Sequence, residues 1–328
     1  MLDQTLIMLL ALLFAFTIPF TLGAWLLSLA TSSHPFASEV LPGPLRWLTS
    51  ILLPLFVSVY GYRRGSVDFS GCVAGSIVAF AAVFANIGFS TSLLAFFLLG
   101  SCVTKYRSDL KRRIESDYNK SSRRNWIQAL CNCGVAGQFA ILYLIDSGVG
   151  GELPIDFQHR YVCSWLTVGV VSSVACACGD TFASEIGSVL SVSEPFLITT
   201  WRRVPRGTNG GISLIGSIAS ALGGFVIGLT YYVTILFVLD RDTLLLHHPD
   251  QSHIVWIGLF AGLFGSVIDS ILGATLQYSG KNLKTGKVVE HPGPDVEWIT
   301  GLHLLDNHSV NLLSTLIVGI VTPILVSQ

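Results

Sequence analysis

Nine apolar stretches, at roughly 5–30, 45–61, 69–87, 89–104, 126–146, 161–178, 212–239, 254–278 and 309–327, leave this chain little choice but a lipid bilayer. A membrane's hydrocarbon core is about 30 Å thick and takes about 20 apolar residues per helical crossing, a length these stretches meet or approach. Composition agrees: 12% of the residues are charged, about half the share of a soluble domain, and mean hydropathy is +0.65. The expected fold is an all-α polytopic membrane protein of about nine transmembrane helices, one membrane domain across residues 1–328. As a single helix, 69–104 would run about 54 Å, too long for one crossing. Asn86-Ile87-Gly88 supplies the turn that splits it.

Lysine and arginine orient the helices, because cytoplasmic loops retain them. With the N-terminus in the cytoplasm, Arg63 and Arg64 fall inside, as do Lys105, Arg107, Lys111, Arg112, Arg113, Lys120, Arg123 and Arg124. So do Arg202, Arg203, Arg206, Lys281, Lys284 and Lys287, which brings sixteen of the 19 basic residues to one side. Arg46, Arg160 and Arg241 are left outside. Adding or removing one helix between the basic loops would scatter them. Two Asn-x-Ser sequons, at Asn119 and Asn307, lie on the cytoplasmic side and are expected to stay unglycosylated.

No basic residue precedes Arg46, so the first apolar run lacks the positive start of a cleaved signal peptide and reads as a membrane helix. An Arg- and Ser-rich, acid-poor import leader is also missing, which points to a secretory-pathway membrane, most simply the endoplasmic reticulum. The basic cytoplasmic loop at 105–125 carries interspersed Asp109, Glu115 and Asp117 and reads as a solvated segment near anionic headgroups. It has no aromatic or motif context for nucleic acid. Cys131 and Cys133, like Cys176 and Cys178, are separated by one residue, which turns the two sulfurs to different helix faces and makes a poor zinc pair. His247, His248, Asp250 and His253 cluster in an external loop, where a divalent ion or plain solvation would suit them.

Four polar segments interrupt the apolar pattern: Cys178 to Gly187, Val204 to Ser213, Asp269 to Gln277, and His303 to Asn311. Charge counting places all four on the cytoplasmic side, with cytoplasmic loops at 179–211 and 279–308 forming the site. The flanking helices carry small-residue stripes, Gly216, Ser220, Gly224 and Gly228 in one and, nearly as regular, Gly258, Gly262, Ser266 and Asp269 in the next, continuing to Gly273 and Gln277. Such stripes let helix backbones approach closely. Asp269 is different. An ionisable group well inside a membrane helix costs several kcal/mol unless it faces a partner, a wet cavity or a cation.

Arg206 precedes Gly207, Thr208, Asn209, Gly210 and Gly211, with Ser213 opening the next helix. A glycine-rich turn exposes backbone N–H groups, a helix N-terminus adds partial positive charge, and arginine grips phosphate through paired hydrogen bonds. The segment therefore reads as a phosphate cradle or as a flexible capped turn. Carboxylates beside phosphate suggest Mg²⁺, which uses one or two carboxylates, waters and phosphate oxygens. Asp180, Glu185 and Asp269 are the candidate ligands, with interhelical pairing to Arg202, Arg203 or Lys281 as the alternative. Asn307 and Asn311 lie four apart, and would bind substrate or cap the last helix with Asp306.

At these residues the chain resembles the transmembrane protein 19 family. The resemblance is carried by D-T-x-A-S-E-x-G from Asp180 to Gly187, R-G-T-N-G-G-I-S from Arg206 to Ser213, and D-S-x-x-G-A-x-x-Q from Asp269 to Gln277. N-x-x-V-N from Asn307 to Asn311 adds to it, and the likeness covers most of the chain from Ser50 onward. That family contains the plastid phytyl-phosphate kinase of vitamin E synthesis and is similar to prenol kinases that use CTP. The resemblance implies transfer of a nucleotide γ-phosphoryl group, with CTP as donor, to a membrane-dissolved isoprenyl monophosphate. The missing transit leader favours farnesyl, geranylgeranyl or longer prenyl phosphates over phytyl phosphate.

Phosphoryl transfer asks for positioning and charge neutralisation, so the absence of a Ser-His or Cys-His nucleophile is no obstacle. On this reading Arg206 and Asp269 are catalytic, and Asp180, Glu185 and Asp269 hold Mg²⁺. The 207–211 backbone and Ser213 hold donor phosphates, and Asn307 and Asn311 orient a phosphate. The prenyl tail would lie along the glycine-lined face of 254–278. A transporter or channel is the rival, since ion pathways also use intramembrane carboxylates and broken helices. Transport sites favour the midplane, however, whereas these residues gather at one face.

Overall fold

A computed structural model describes residues 23, 43–105, 123–148, 151–191, 193–239 and 250–328. Among them are eight helices: α1 (Pro44–Arg63), α2 (Phe69–Ala85), α3 (Ile87–Lys105), α4 (Trp126–Ser147), α5 (Tyr161–Leu190), α6 (Leu214–Val238), α7 (His253–Leu276) and α8 (Asn307–Val326). Seven are long and apolar enough to span a bilayer, and α2 is shorter, at 17 residues. The protein is a multi-pass, mostly helical membrane protein. The expected crossing at 5–30, most of the basic loop, Asn119, His247 and His248 lie outside the described residues.

Local chemistry sets the helix ends. Asp68 caps α2 by accepting from the Gly71 N–H at 2.8 Å, and Asn125 and Gln128 form a reciprocal capping box on α4. Ser213 and Asp306 cap α6 and α8 in the same way. Asn86 breaks the α2–α3 run as expected, its Oδ1 accepting from the Gly88 N–H at 2.7 Å.

Helix α5 is the central post, buried on nearly all sides, with Val168, Val170, Val171 and Val174 fully enclosed. It extends to Leu190, twelve residues past the end that hydropathy alone assigns at 178. The first part of the expected loop 179–211 is therefore helix. Polar residues lower hydropathy there without breaking the helix, because their hydroxyls bond back to it: Thr181 donates to the Ala177 carbonyl at 2.8 Å and Ser184 to the Thr181 carbonyl at 3.2 Å.

Helices α5, α6 and α7 meet backbone to backbone. A Cβ on Gly179 would sit 2.7 Å from Gly262 Cα, one on Gly262 would sit 2.8 Å from Gly224 Cα, and one on Gly258 would sit 2.9 Å from Gly228 Cα. The glycine stripes are thus consumed by helix packing. The prenyl tail cannot lie along the glycine face of α7 as expected, because α6 fills it.

At one end of the bundle the connections build two small sheets. Strand β1 (Phe196–Leu197) pairs antiparallel with β2 (Gly211–Ile212). Strands β3 (Ser279–Asn282), β4 (Val288–Val289) and β5 (Val296–Thr300) form an antiparallel sheet in the order β4-β3-β5. The expected open loop at 279–308 is thus largely structured. It satisfies the last carbonyls of α7, since the Leu302 N–H donates to Thr275 and the N–H groups of Leu304 and Leu305 to Leu276. At the opposite end Glu152 pairs with Arg46 and accepts from the Ile87 N–H, while the Gln251 amide accepts from the Ile155 N–H and donates to the Ile155 carbonyl.

Candidate functional site

The four polar segments converge at the end of the bundle that carries the two sheets. Helices α5 and α7 cross in contact, and Gly265 of α7 lies against Cys176 of α5, where an added Cβ would approach Cys176 Cβ to 2.8 Å. One helical turn further along each helix come Asp180 and Asp269. The two carboxylates are close enough to act on each other's charge. No described Lys, Arg or His reaches Asp269 at ion-pair distance. Two carboxylates inside a membrane bundle and under mutual repulsion suit a divalent cation.

Helix α8 supplies the groups that hold Asp269. Ser314 donates to Asp269 Oδ2 at 3.3 Å. The Asn311 side chain lies between α7 and α4. With its NH₂ turned toward α7 it donates to Asp269 Oδ2 and to the Asn307 carbonyl, both at 3.1 Å; turned the other way it donates to Asn132 Oδ1 at 3.1 Å. The first orientation satisfies two acceptors, one of them charged. The early start of α8 puts Asn307 and Asn311 one turn apart, with the Asn307 side chain exposed. Asp306 is the helix cap: Ser309 bonds to it through side chain and backbone and holds its carboxyl below the usual range.

Glu185 does not join the two aspartates. Five residues along a helix turn the side chain about 140° from Asp180. Its charge acts instead on Arg124, which enters the bundle just before α4. Among the described residues no three of His, Cys, Asp and Glu come together as a metal site, so the expected carboxylate trio reduces to a pair.

The glycine-rich turn rests directly on α7. Gly210, at φ +77°, lies so close that a Cβ would strike the side chain of Ala274 and come within 2.5 Å of the Ser270 carbonyl. Asn209 pins the turn to β3: its N–H donates to Ser279 Oγ at 3.0 Å and its amide to the Tyr278 carbonyl at 3.3 Å. Much of the turn's donor capacity is internal. The Thr208 N–H binds the Pro205 carbonyl and the Gly211 N–H binds the Thr208 carbonyl. Gly207 and Gly210 keep N–H groups with no acceptor among the described residues. Strand β2 separates the turn from α6, and Ser213 accepts from both Ser191 and the Gly216 N–H. Ser213 is therefore a structural cap, and the turn does not open straight onto a helix N-terminus. Gln277 is nearly buried and donates to Glu290 at 3.2 Å, which docks the larger sheet beside the turn.

Lys281, Lys284 and Lys287 sit on or beside the β3–β4 hairpin, with Lys284 paired to Asp295 at 2.6 Å. Arg203 stacks over Phe196. Sequence reasoning passed over two residues of the interior, Asn132 and Arg124. Asn132 sits between the two cysteines that drew attention to that helix, and an amide inside an apolar helix was the available signal. Arg124 registered only as one basic residue among many.

The model of the family "Integral membrane protein DUF92" matches residues 52–319. Protein PGR of Arabidopsis thaliana is 37% identical over 281 residues, covering 85% of this chain and 96% of that protein. An uncharacterized membrane protein of Methanocaldococcus jannaschii is 29% identical over 278 residues, covering 84% of this chain and 93% of its own. "Protein VTE6, chloroplastic", also from Arabidopsis thaliana, is 28% identical over 134 residues, 40% of this chain and 36% of that protein. No solved structure matches.

Proposed function

The chain belongs to the DUF92 family of integral membrane proteins, and from that membership and the geometry of its polar end we propose that it is an isoprenyl-phosphate kinase. It transfers the γ-phosphoryl group of a nucleotide, CTP first among candidates, to a membrane-dissolved prenyl monophosphate and yields the diphosphate. The carrying observation is the Asp180 and Asp269 pair, set in two contacting helices beside the turn led by Arg206. The motif resemblance to a family that holds a phytyl-phosphate kinase supports the substrate class.

The chemistry needs little from the protein beyond placement. An oxygen of the acceptor phosphate, already ionised near neutral pH, attacks the γ-phosphorus; the bond from that phosphorus to the β–γ bridging oxygen breaks and the nucleoside diphosphate leaves with the electron pair. No strong base is required. Arg206 and the N–H groups of Gly207 and Gly210 would meet donor phosphates. Asp180 and Asp269 would hold Mg²⁺, which neutralises phosphate charge when bound. Asn311 and Ser314 fix the Asp269 carboxylate so that it need not reorganise. The site faces the cytosol, from a secretory-pathway membrane such as the endoplasmic reticulum, as the distribution of basic residues suggests.

The test is to incubate the purified protein with Mg²⁺, a panel of nucleotides and prenyl monophosphates of several lengths, and to read the lipid products by mass spectrometry. A prenyl diphosphate formed at the expense of the nucleotide supports the assignment. Solute flux in liposomes without any diphosphate would replace it with transport.

A further inference from the structure

Helices α1 to α4 do not close on one another. Among the described residues a cleft of about 130 Å³ lies between them, walled by apolar side chains that include Val57, Val78, Leu93 and Phe97. Along α2 it runs from Gly71 to Val83, twelve residues, or about 18 Å at the helical rise. Apolar voids lose contact energy on every wall, so a bundle selected only for packing fills them. Here a filling residue was available: Gly75 lines the cleft, and a Cβ on it would meet nothing within 4 Å.

The cleft is mostly apolar, with Ser58 and Ser90 on its walls, and carries its charged group at one end. Arg124, Gln128 and Asn132 close it on the side of the candidate site. The Arg124 guanidinium donates to Thr104 Oγ1 at 3.4 Å and lies over the Phe96 ring, and among the described residues no carboxylate reaches it at ion-pair distance. Burial pulls its pKa below the ordinary arginine range, although arginine remains charged. Glu185 acts on it only through its charge, without closing to an ion pair, so the guanidinium keeps donors for a second anion. Asn132 at this end neighbours Asn311, the amide that also reaches Asp269.

One apolar tail and one anionic head match both ends of the cleft. We propose that this cleft between α1, α2, α3 and α4 seats the tail of the acceptor lipid, with its phosphate held at the Arg124 end. The identity of the lipid as a prenyl monophosphate rests on the function proposed above; the placement rests on the cleft. At its modest volume the cleft takes the head-proximal part of the chain, and the remainder extends into the bilayer.

The placement is tested by photolabelling the full chain in phosphatidylcholine nanodiscs with a diazirine-bearing farnesyl monophosphate, then mapping the adducts by mass spectrometry. Adducts on α1 to α3, removed by excess unlabelled farnesyl monophosphate, are the expected result. Gly75→Phe is expected to cut that labelling by about tenfold or more while Gly75→Ala retains it. Arg124→Gln is expected to weaken labelling by the phosphate probe and to spare that by a neutral farnesol probe. Adducts on α6 and α7, or labelling that excess ligand does not remove, would overturn the placement even if Gly75→Phe fails to fold. The two proposals fail separately: cleft adducts without any diphosphate product remove the kinase and leave the lipid site, while product with adducts elsewhere does the reverse.

Discussion

Asp180 and Asp269 each stand one helical turn beyond the contact of Cys176 with Gly265 and are near enough to act on each other's charge, so two carboxylates share one patch of a membrane interior. Packing alone offers no reason for that arrangement, since like charges in a low-dielectric site repel and each resists desolvation. Replacing Asp269 by Asn keeps the shape and the bond from Ser314 while it removes a charge. Asp269→Asn is expected to hold or raise Tm in detergent and to lower diphosphate formation by at least about a hundredfold, the order of a lost transition-state charge contact. A fall in Tm of several degrees would mark the carboxylate as structural.

Asn311 sits between α7 and α4, and its NH₂ reaches either Asp269 with the Asn307 carbonyl or Asn132 Oδ1. Asn311→Leu leaves a buried carboxylate short of a donor and is expected to cost about 1–3 kcal/mol. A double-mutant cycle with Asn132→Ala, followed by thermal unfolding, is expected to show coupling of at least about 0.5 kcal/mol. Additive effects would mean that the two amides do not work as a unit.

The Gly224 and Gly262 contact leaves no room for a side chain. Gly262→Leu must push α6 and α7 apart along their length and is expected to abolish a monodisperse peak in size-exclusion chromatography. Gly134→Leu is the control, because a Cβ there meets only the Leu130 side chain, at 3.8 Å or more.

Much of this architecture was legible in sequence for plain reasons. Hydropathy located all eight described helices, and Asn86 marked the break between α2 and α3, because both signals are local. The end of α5 was missed because Thr181 and Ser184 lower hydropathy while bonding back to the helix. Glu185 was grouped with Asp180 by nearness in sequence, although helical rotation separates their side chains. Arg124 and Asn132 became visible only through tertiary packing, which brings a loop residue and one amide into the bundle. The glycine stripe showed where helices meet, and only the structure showed that the neighbouring helix occupies it.

Gly210 combines a left-handed backbone with direct contact on α7. Gly210→Ala is expected to lift the turn from Ala274 and Ser270, raising the KM for nucleotide more than it lowers kcat, because the carboxylates on α5 and α7 stay in place. An unchanged KM would detach the turn from donor binding.

Asp306 caps α8, and its carboxyl is held below the ordinary range by Ser309. A group with a lowered folded-state pKa contributes stability above its unfolded value and loses it as pH falls through the folded one. The cap's contribution is therefore full at neutral pH and fades below about pH 4. Asp306→Ala is expected to cost about 1 kcal/mol at pH 7 and less under acid, read as a Tm difference that narrows between the two. A difference that widens under acid would contradict the cap's charge state.

The most direct measurement follows the phosphorus itself. Purified protein is given farnesyl monophosphate, Mg²⁺ and CTP labelled in the γ-phosphoryl group, and the lipid fraction is resolved. Label is expected in the terminal phosphate of farnesyl diphosphate, dependent on Mg²⁺ and lost in Asp269→Asn. No labelled diphosphate from any nucleotide and prenyl length tried, or equal transfer by Asp269→Asn, would contradict phosphoryl transfer at the paired aspartates.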